Sequence, residues 1–284
     1  DTVAENRGIS AEKAEEVLTL GPYSSPAALE AGAADRIAYI RELKKHIESQ
    51  FEGDVEFDEE WAEPETAKVE PPSLMSILMG TAGKESKAGD EEPKIAVVYA
   101  MGPIIDGRAN KSNPLFATEM IASEDFIDLL DEVAEEPGVE GLVVRVDSPG
   151  GSAIASDRIW NRLEEIQQDG IPVVASMGNI AASGGYYISM GADKIIAEPA
   201  TVTGSIGVIG GKISLGGTYE EIGINKQTIN VGPHSEIYNE ATTWNAEQEE
   251  IIDQLLSDIY KDFLEKAADG RGMSVHEMRK RAEG

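Results

Sequence analysis

The residue best suited to chemistry in this sequence is Ser183, in the glycine-rich stretch Ala181-Ala-Ser-Gly-Gly-Tyr-Tyr187. It follows a predicted strand and precedes a predicted helix, so its hydroxyl is expected at a helix N-terminus. Unpaired N–H groups and the positive end of the helix dipole favour a developing negative charge there. Gly184 and Gly185 would let a substrate backbone approach closely. The alternative is that Ser183 only caps the helix, a common use of serine that the spacing alone favours.

A second glycine pair, Gly150 and Gly151, lies in Asp147-Ser-Pro-Gly-Gly-Ser152, directly after a buried-type strand. Exposed main-chain N–H groups in such a turn can bind an oxyanion, although an ordinary glycine turn fits the same pattern. A third stretch is Thr203-Gly-Ser-Ile-Gly207. None of the three is a dinucleotide fingerprint, a phosphate loop or the Gly-x-Ser-x-Gly elbow of α/β-hydrolases. Nucleotide binding therefore has no support in the sequence.

Composition excludes other kinds of chemistry. The 284 residues contain no cysteine, which rules out disulfides, thiol nucleophiles and Cys-based zinc sites. The three histidines, His46, His234 and His276, are far apart in sequence, so no metal or other cofactor is expected. A formal net charge of −29 repels phosphate backbones, which argues against a nucleic-acid partner. The sequence has no run of 18 apolar residues.

The elements that must position these residues follow Lys94, where short apolar runs alternate with amphipathic segments. The predicted strands are 95–100, 141–146, 173–176 and 194–197, and the predicted helices are 123–136, 156–168 and 245–268. Ser123 is predicted to cap the first of these helices, and Asn245 with Gln248 forms a capping box at the last. This alternation predicts an α/β fold.

The sequence before Lys94 falls into two parts. Residues 1–51 are predicted to be helical, with Ser25 as an N-cap before Pro26. From Phe51 to Pro93 there are 13 acidic and 3 basic residues with no sustained period, which indicates a linker. An apolar patch, SLMSILMG at 73–80, interrupts this linker.

A short internal repeat links the two ends of the chain. Asn6-Arg-Gly-Ile-Ser10 reappears within Asp269-Gly-Arg-Gly-Met-Ser274, and a polar helix start follows each copy. The repeat predicts two tandem copies of one domain. On that reading the chain holds the end of the first copy and most of the second.

The strings RVDSPGGSA at 145–153 and VVASMGNIAASGGYYISMGADKIIAEPATVTGSIGVIG at 173–210 resemble the catalytic domain of the signal peptide peptidase A family. The likeness runs in order from about Lys94 to Gly284. It implies a Clp-protease/crotonase-like spiral of ββα units, with Ser183 as the nucleophile and Gly150 and Gly151 at the oxyanion site. It also implies hydrolysis of signal-peptide remnants or other membrane-associated peptides. The expected enzyme is a homo-oligomeric ring or dome on the non-cytoplasmic side of a membrane, tethered by sequence outside this chain.

One part of the family pattern is missing. Members pair the serine with a lysine base, but the corresponding stretch, Val231-Gly-Pro-His-Ser-Glu-Ile237, contains Ser235 and no lysine. Lys212 and Lys226 fall outside this stretch and are interpreted as surface residues, while His234 is a weaker candidate for the base.

Long, two-repeat members take the lysine from the first repeat, and that arrangement accounts for both the internal repeat and the missing base. It implies that 1–51 is the tail of a first repeat, 52–93 an acidic linker and 94–284 a second repeat truncated at its C-terminus. The chain alone should then be inactive. Two alternatives remain: a crotonase-type acyl-CoA enzyme, in which Ser183 has no role, and a degenerate scaffold that only binds peptides.

Overall fold

The computed structural model describes residues 2–51, 55, 93–109 and 119–283. The chain divides into two compact units, one formed by residues 1–37 and 93–284 and the other by residues 38–92. Within the second unit, helix 40–48 begins after Tyr39, whose N–H donates to Glu42 Oε2 at 3.1 Å. The apolar patch at 73–80, like nearly all of the predicted linker, lies outside the described residues.

Strands of the first unit form two parallel sheets. The strands are β1 (Lys94–Met101), β2 (Ile104–Ile105), β3 (Ile121–Ala122), β4 (Val139–Ser148), β5 (Val173–Ala182), β6 (Lys194–Ala197) and β7 (Val202–Gly204). The main sheet has the order β1-β4-β5-β6, and β7 pairs with the end of β5 beyond β6. The short strands β2 and β3 pair with each other, and Ile104 of β2 also bridges to Gly151.

The helices, numbered along the chain, are α1 (Thr2–Arg7), α2 (Ala11–Thr19), α3 (Ser25–Ala31), α4 (Ile40–Glu48), α5 (Ser123–Glu135), α6 (Ala153–Gln168), α7 (Gly184–Met190), α8 (Gly216–Glu221), α9 (Ala246–Gly270) and α10 (Val275–Ala282). Within the described ranges, none of them is both long and apolar enough to cross a membrane.

The main core lies between the sheet and helices α5, α6 and α7. Leu130, Ile159 and Ile188 from these helices bury their side chains against Val144 and Ala175 of the central strands. In the main sheet, strand order follows chain order, and helices connect β1 to β4, β4 to β5 and β5 to β6. The short strands β2 and β3 lie between β1 and α5. The α/β prediction is therefore confirmed, with successive ββα units. A second core cluster packs α9 against α7. It contains Phe263 and Leu264 of α9 together with Tyr187 and Met190 of α7.

Two predicted caps differ from the observed ones by one residue. Ser123 is the first residue of α5, and its Oγ accepts a hydrogen bond from the N–H of Gly107 at 3.1 Å. At α3, Ser24 accepts from Ala27 N–H, and Ser25 is already helical. At α3 two adjacent serines compete for the cap position, which sequence spacing does not resolve. At α5 the N-cap position is Ala122, which makes no side-chain cap bond, because Ser123 bonds to Gly107 instead.

The two copies of the sequence repeat have the same turn. Each begins where a helix ends at a glycine with positive φ, 62° at Gly8 and 59° at Gly272. The next residue donates its N–H to a carbonyl five residues back, Ile9 to Ala4 at 3.0 Å and Met273 to Ala268 at 2.9 Å. The serine after it then caps a new helix, as Ser10 does for α2 and Ser274 for α10.

Candidate active site

Ser183 lies at the junction between β5 and α7, at the carboxyl end of the sheet. Its backbone has φ 52° and ψ −120°, a combination that a residue with a side chain rarely adopts. Its N–H donates to Gly204 O of β7 at 2.9 Å, and its carbonyl accepts from Tyr187 N–H at 2.9 Å. The side chain makes no capping hydrogen bond to α7. Ser183 therefore does not cap α7 through its side chain, which was the alternative interpretation.

Backbone strain of this kind costs about 1–3 kcal/mol and persists where the surrounding structure enforces it, commonly at functional sites. Ser183→Gly should remove the strain because glycine has no Cβ. We expect the free energy of unfolding of residues 1–284 to rise by about 1 kcal/mol in urea titrations. Ser183→Ala keeps the Cβ and serves as the matched control, with no gain expected. Equal free energies of unfolding for the two variants would show that the backbone of Ser183 is not strained.

Gly150 and Gly151 lie directly against the junction that carries Ser183. A Cβ on Gly150, whose φ is 97°, would lie 2.5 Å from Gly184 N and 2.8 Å from Ser183 Cβ. The N–H of Gly150 donates to Ser148 Oγ at 3.1 Å, whereas the N–H of the exposed Gly151 has no acceptor in the part of the chain described. Sequence reasoning treated the two glycines as equivalent, and the structure gives them different hydrogen bonds.

The sequence predicted that Gly184 and Gly185 let a substrate approach closely. In the structure they instead let two parts of the protein pack against each other. A Cβ on Gly184 would lie 2.4 Å from Ser156 Oγ of α6, and one on Gly185 would lie 2.5 Å from Ser148 O. Both positions are buried. The glycines let α7 begin in contact with the protein's own backbone, and this contact places Ser183 beside the Gly150-Gly151 turn.

Ser205 lies in the third glycine-rich stretch, to which the sequence analysis gave no catalytic residue. It is the second described non-glycine residue with positive φ, at 51°. Since Ala182 pairs with Gly204 in the parallel β5–β7 ladder, Ser183 and Ser205 are the next residues on neighbouring strands. Two strained serines thus stand side by side at the same sheet edge. The sequence gave no signal for the second, because the strain appears only in the backbone angles.

Tyr187 connects the helix that follows Ser183 to the long helix α9. Its hydroxyl lies 2.8 Å from Asp157 Oδ1 and 3.0 Å from Asp262 Oδ2, and Lys266 Nζ lies within 2.7 Å of both carboxylates. Burial raises the pKa of Tyr187, and the two carboxylates raise it further. The phenol therefore stays protonated as a hydrogen-bond donor, and the network fixes α7 in place.

The stretch 231–237, where the resemblance predicts the lysine, has none in this sequence. Ser235 Oγ donates to Gly232 O at 2.9 Å. Lys226 forms an exposed ion pair with Glu240, as expected for a surface lysine. Lys212 is half-buried, in contrast to the surface position expected: its Nζ donates to Asn239 O at 3.1 Å and lies 5.6 Å from the centre of the Trp244 ring.

His234 has a structural position instead of a catalytic one. The side chain is buried, with Nδ1 2.9 Å from Leu20 O and Nε2 3.2 Å from Glu247 Oε1. Burial lowers its pKa, but the hydrogen bonds to Glu247 and Leu20 outweigh burial and raise the pKa above its usual value. Both ring nitrogens are engaged in joining the N-terminal helices to the loop before α9, so His234 does not serve as the base.

Comparison with known proteins bears directly on this site. Residues 165–284, which include Ser183, match the model of peptidase family S49. The chain is 32% identical to the chloroplastic serine protease SPPA of Arabidopsis thaliana over 285 residues, covering all of this chain and 40% of that protein. It is 33% identical to protease 4 of Salmonella typhi over 190 residues, covering 67% of this chain and 29% of that protein.

The solved structure of a ClpP1 variant from Listeria monocytogenes superposes with a TM-score of 0.37 and 19% identity, over 65% of this chain and 77% of that one. The chain spans less than half the length of the Arabidopsis and Salmonella relatives. The sequence matches nonetheless cover the Ser183 segment and, with the Arabidopsis protein, every residue of the chain. The Ser183 segment therefore matches peptidase family S49, and the chain is similar over its whole length to a serine protease SPPA.

Proposed function

We propose that this chain forms part of a serine peptidase in which the hydroxyl of Ser183 attacks the carbonyl carbon of a peptide bond. The observation that carries the proposal is the strained backbone of Ser183, whose side chain caps nothing and lies against the Gly150-Gly151 turn. In a crotonase-type enzyme Ser183 has no catalytic role, so that alternative does not account for the strained backbone at Ser183. The match of residues 165–284 to peptidase family S49 supports the same activity.

The negative charge that develops on the carbonyl oxygen needs hydrogen-bond donors near Ser183. We assign this role to the N–H of Gly151, with Gly150 as the side-chain-free residue that brings the turn close enough. Gly184 N–H, at the first position of α7, is the second donor that we propose, since Gly151 N lies 3.1 Å from the place where a Cβ of Gly184 would be. Main-chain donors are held rigidly by the turn and the helix, so little reorganisation is needed in the transition state.

The proton of Ser183 must pass to a base, and we propose a lysine from sequence outside this chain. In the described residues, no lysine, histidine or carboxylate forms a hydrogen bond to the Ser183 hydroxyl, and the family stretch at 231–237 has no lysine. A lysine placed beside Ser183 would also meet Ser205 on the neighbouring strand end. Its burial there would lower its pKa toward neutrality, as a general base requires.

A divided site of this kind fits a two-repeat protein. We propose that residues 1–51 are the end of a first repeat, 52–93 a linker and 94–284 the second repeat. The identical turns at Gly8 and Gly272 support this division. By resemblance to the family, the substrates that we propose are signal-peptide remnants or other membrane-associated peptides, cleaved by a membrane-tethered oligomer on the non-cytoplasmic side.

The missing base can be tested with a fluorophosphonate, which labels an activated serine covalently. We expect Ser183 to be labelled rapidly in the full-length protein and at least about 100-fold more slowly in residues 1–284 alone, because general-base assistance contributes about 10²–10⁴-fold. Mass spectrometry of tryptic peptides would locate the label. Equal rates in the two proteins would show that the base lies within this chain and would refute the divided site.

A further inference from the structure

We infer that Asp147 is a positioning residue for Ser183, because its carboxylate holds the irregular segment of β5 that precedes the serine. The inference rests on the proposed peptidase function. Asp147 does not contact the reacting atoms; it acts through the backbone of residues 178–180.

The β4–β5 ladder changes register at this point. Val146 pairs with Met177, but Ser148 pairs with Ala181, so β5 carries two more residues than β4 between the same two rungs. Such a bulge removes backbone N–H groups from the ladder and leaves them to be paired elsewhere. The extra residues of β5 fall in Gly178-Asn179-Ile180, only three positions before Ser183.

Asp147 is the β4 residue opposite this bulge, and its carboxylate accepts three hydrogen bonds from it. Oδ2 accepts from Asn179 N at 3.2 Å and from Asn179 Nδ2 at 2.9 Å, and Oδ1 accepts from Ile180 N at 3.2 Å. The carboxylate lies close against Gly178, where a Cβ would be 2.8 Å from Asp147 Oδ2 and would displace it. Hydrogen bonds to an ionised carboxylate are stronger than those between neutral groups, so the bulge is held firmly.

The same residue also fixes the opposite side of the site. Asp147 O accepts from Gly102 N at 2.9 Å, which ties the end of β1 to the end of β4. Three residues later the chain reaches Gly150, against which Ser183 packs. Asp147 therefore contacts both segments of the site: its carboxylate holds the strand that leads to Ser183, and its backbone precedes the Gly150-Gly151 turn.

The decisive variant is Asp147→Asn, which keeps the shape but replaces one acceptor oxygen by an NH₂ group that faces N–H donors. We expect kcat of the full-length protein on a peptide substrate to fall about 100-fold with KM within about 3-fold, since a misplacement of about 1 Å has a cost of this size. In residues 1–284, hydrogen exchange of the Asn179 and Ile180 amides should accelerate at least about 10-fold.

Glu198→Gln is the matched control. It removes the exposed ion pair with Arg145, which lies on β4 two residues before Asp147, and leaves the bulge untouched. Its kcat should equal that of the wild type. If Asp147→Asn fails to fold, the exposed Asn179→Ala variant decides: it loses only the 2.9 Å side-chain bond and should lower kcat about 3- to 10-fold at unchanged stability.

Unchanged kcat in Asp147→Asn, or in Asn179→Ala where the first variant does not fold, would overturn the inference and leave the peptidase proposal standing. A wild-type protein without peptidase activity would instead refute the proposed function. In that case the exchange rates of the Asn179 and Ile180 amides in Asp147→Asn would still decide whether Asp147 holds the bulge. Rates equal to those of the wild type would show that it does not.

Discussion

Ser183→Ala is expected to abolish peptide hydrolysis by the full-length protein, with kcat lower by about 10⁴-fold or more. The substitution removes the attacking oxygen and leaves the backbone as it is, because alanine keeps the Cβ that Ser183 already places at φ 52°. Oxyanion donors alone retain only a small part of the catalysis in such enzymes. The measurement is steady-state hydrolysis of a fluorogenic peptide, together with urea unfolding to show that the variant is folded.

Ser235→Ala is the appropriate control for this loss. Ser235 is exposed, donates to Gly232 O, and occupies the stretch where the family has its lysine. Its replacement should leave kcat unchanged if Ser183 is the nucleophile. Activity that survived in Ser183→Ala, or disappeared in Ser235→Ala, would assign the chemistry to another residue.

Gly150→Ala should damage both stability and activity. A Cβ at this position would lie 2.5 Å from Gly184 N, 2.8 Å from Ser183 Cβ and 2.9 Å from Ala182 O, and the φ of 97° disfavours any side chain. Overpacking costs about 1–3 kcal/mol, and a left-handed conformation costs about 1–2 kcal/mol more. We therefore expect the free energy of unfolding to fall by about 2–5 kcal/mol. The kcat of the folded fraction should fall at least about 100-fold, because the serine moves relative to the oxyanion donors.

Gly211→Ala provides the comparison for Gly150→Ala. Gly211 has no positive φ, and a Cβ there would meet nothing within 4 Å. Its unfolding free energy should change by no more than about 0.5 kcal/mol, with full activity. A Gly150→Ala protein as stable and as active as this control would show that the turn does not pack against Ser183 in the working enzyme.

Sequence pattern predicted the scaffold of this site well. Apolar runs gave the four main strands, and the helix of residues 246–270 begins at the predicted capping box of Asn245 and Gln248. These features depend on local side-chain periodicity and on hydrogen bonds a few residues apart, which a linear sequence contains. Strand ends were less accurate: the strand predicted to end at Ser176 continues through the bulge to Ala182, because its last pairings are with β7.

For Ser183, the sequence by itself determined the residue type, its glycine neighbours and its place between a strand and a helix. Spacing alone favoured a helix cap, and only the backbone angles and the absence of a capping bond decided otherwise. The same is true of Ser205, whose strain is invisible in the sequence, and of Asp147, whose three bonds cross to another strand. Such features arise from contacts between residues distant in the chain, so only the tertiary structure decides them.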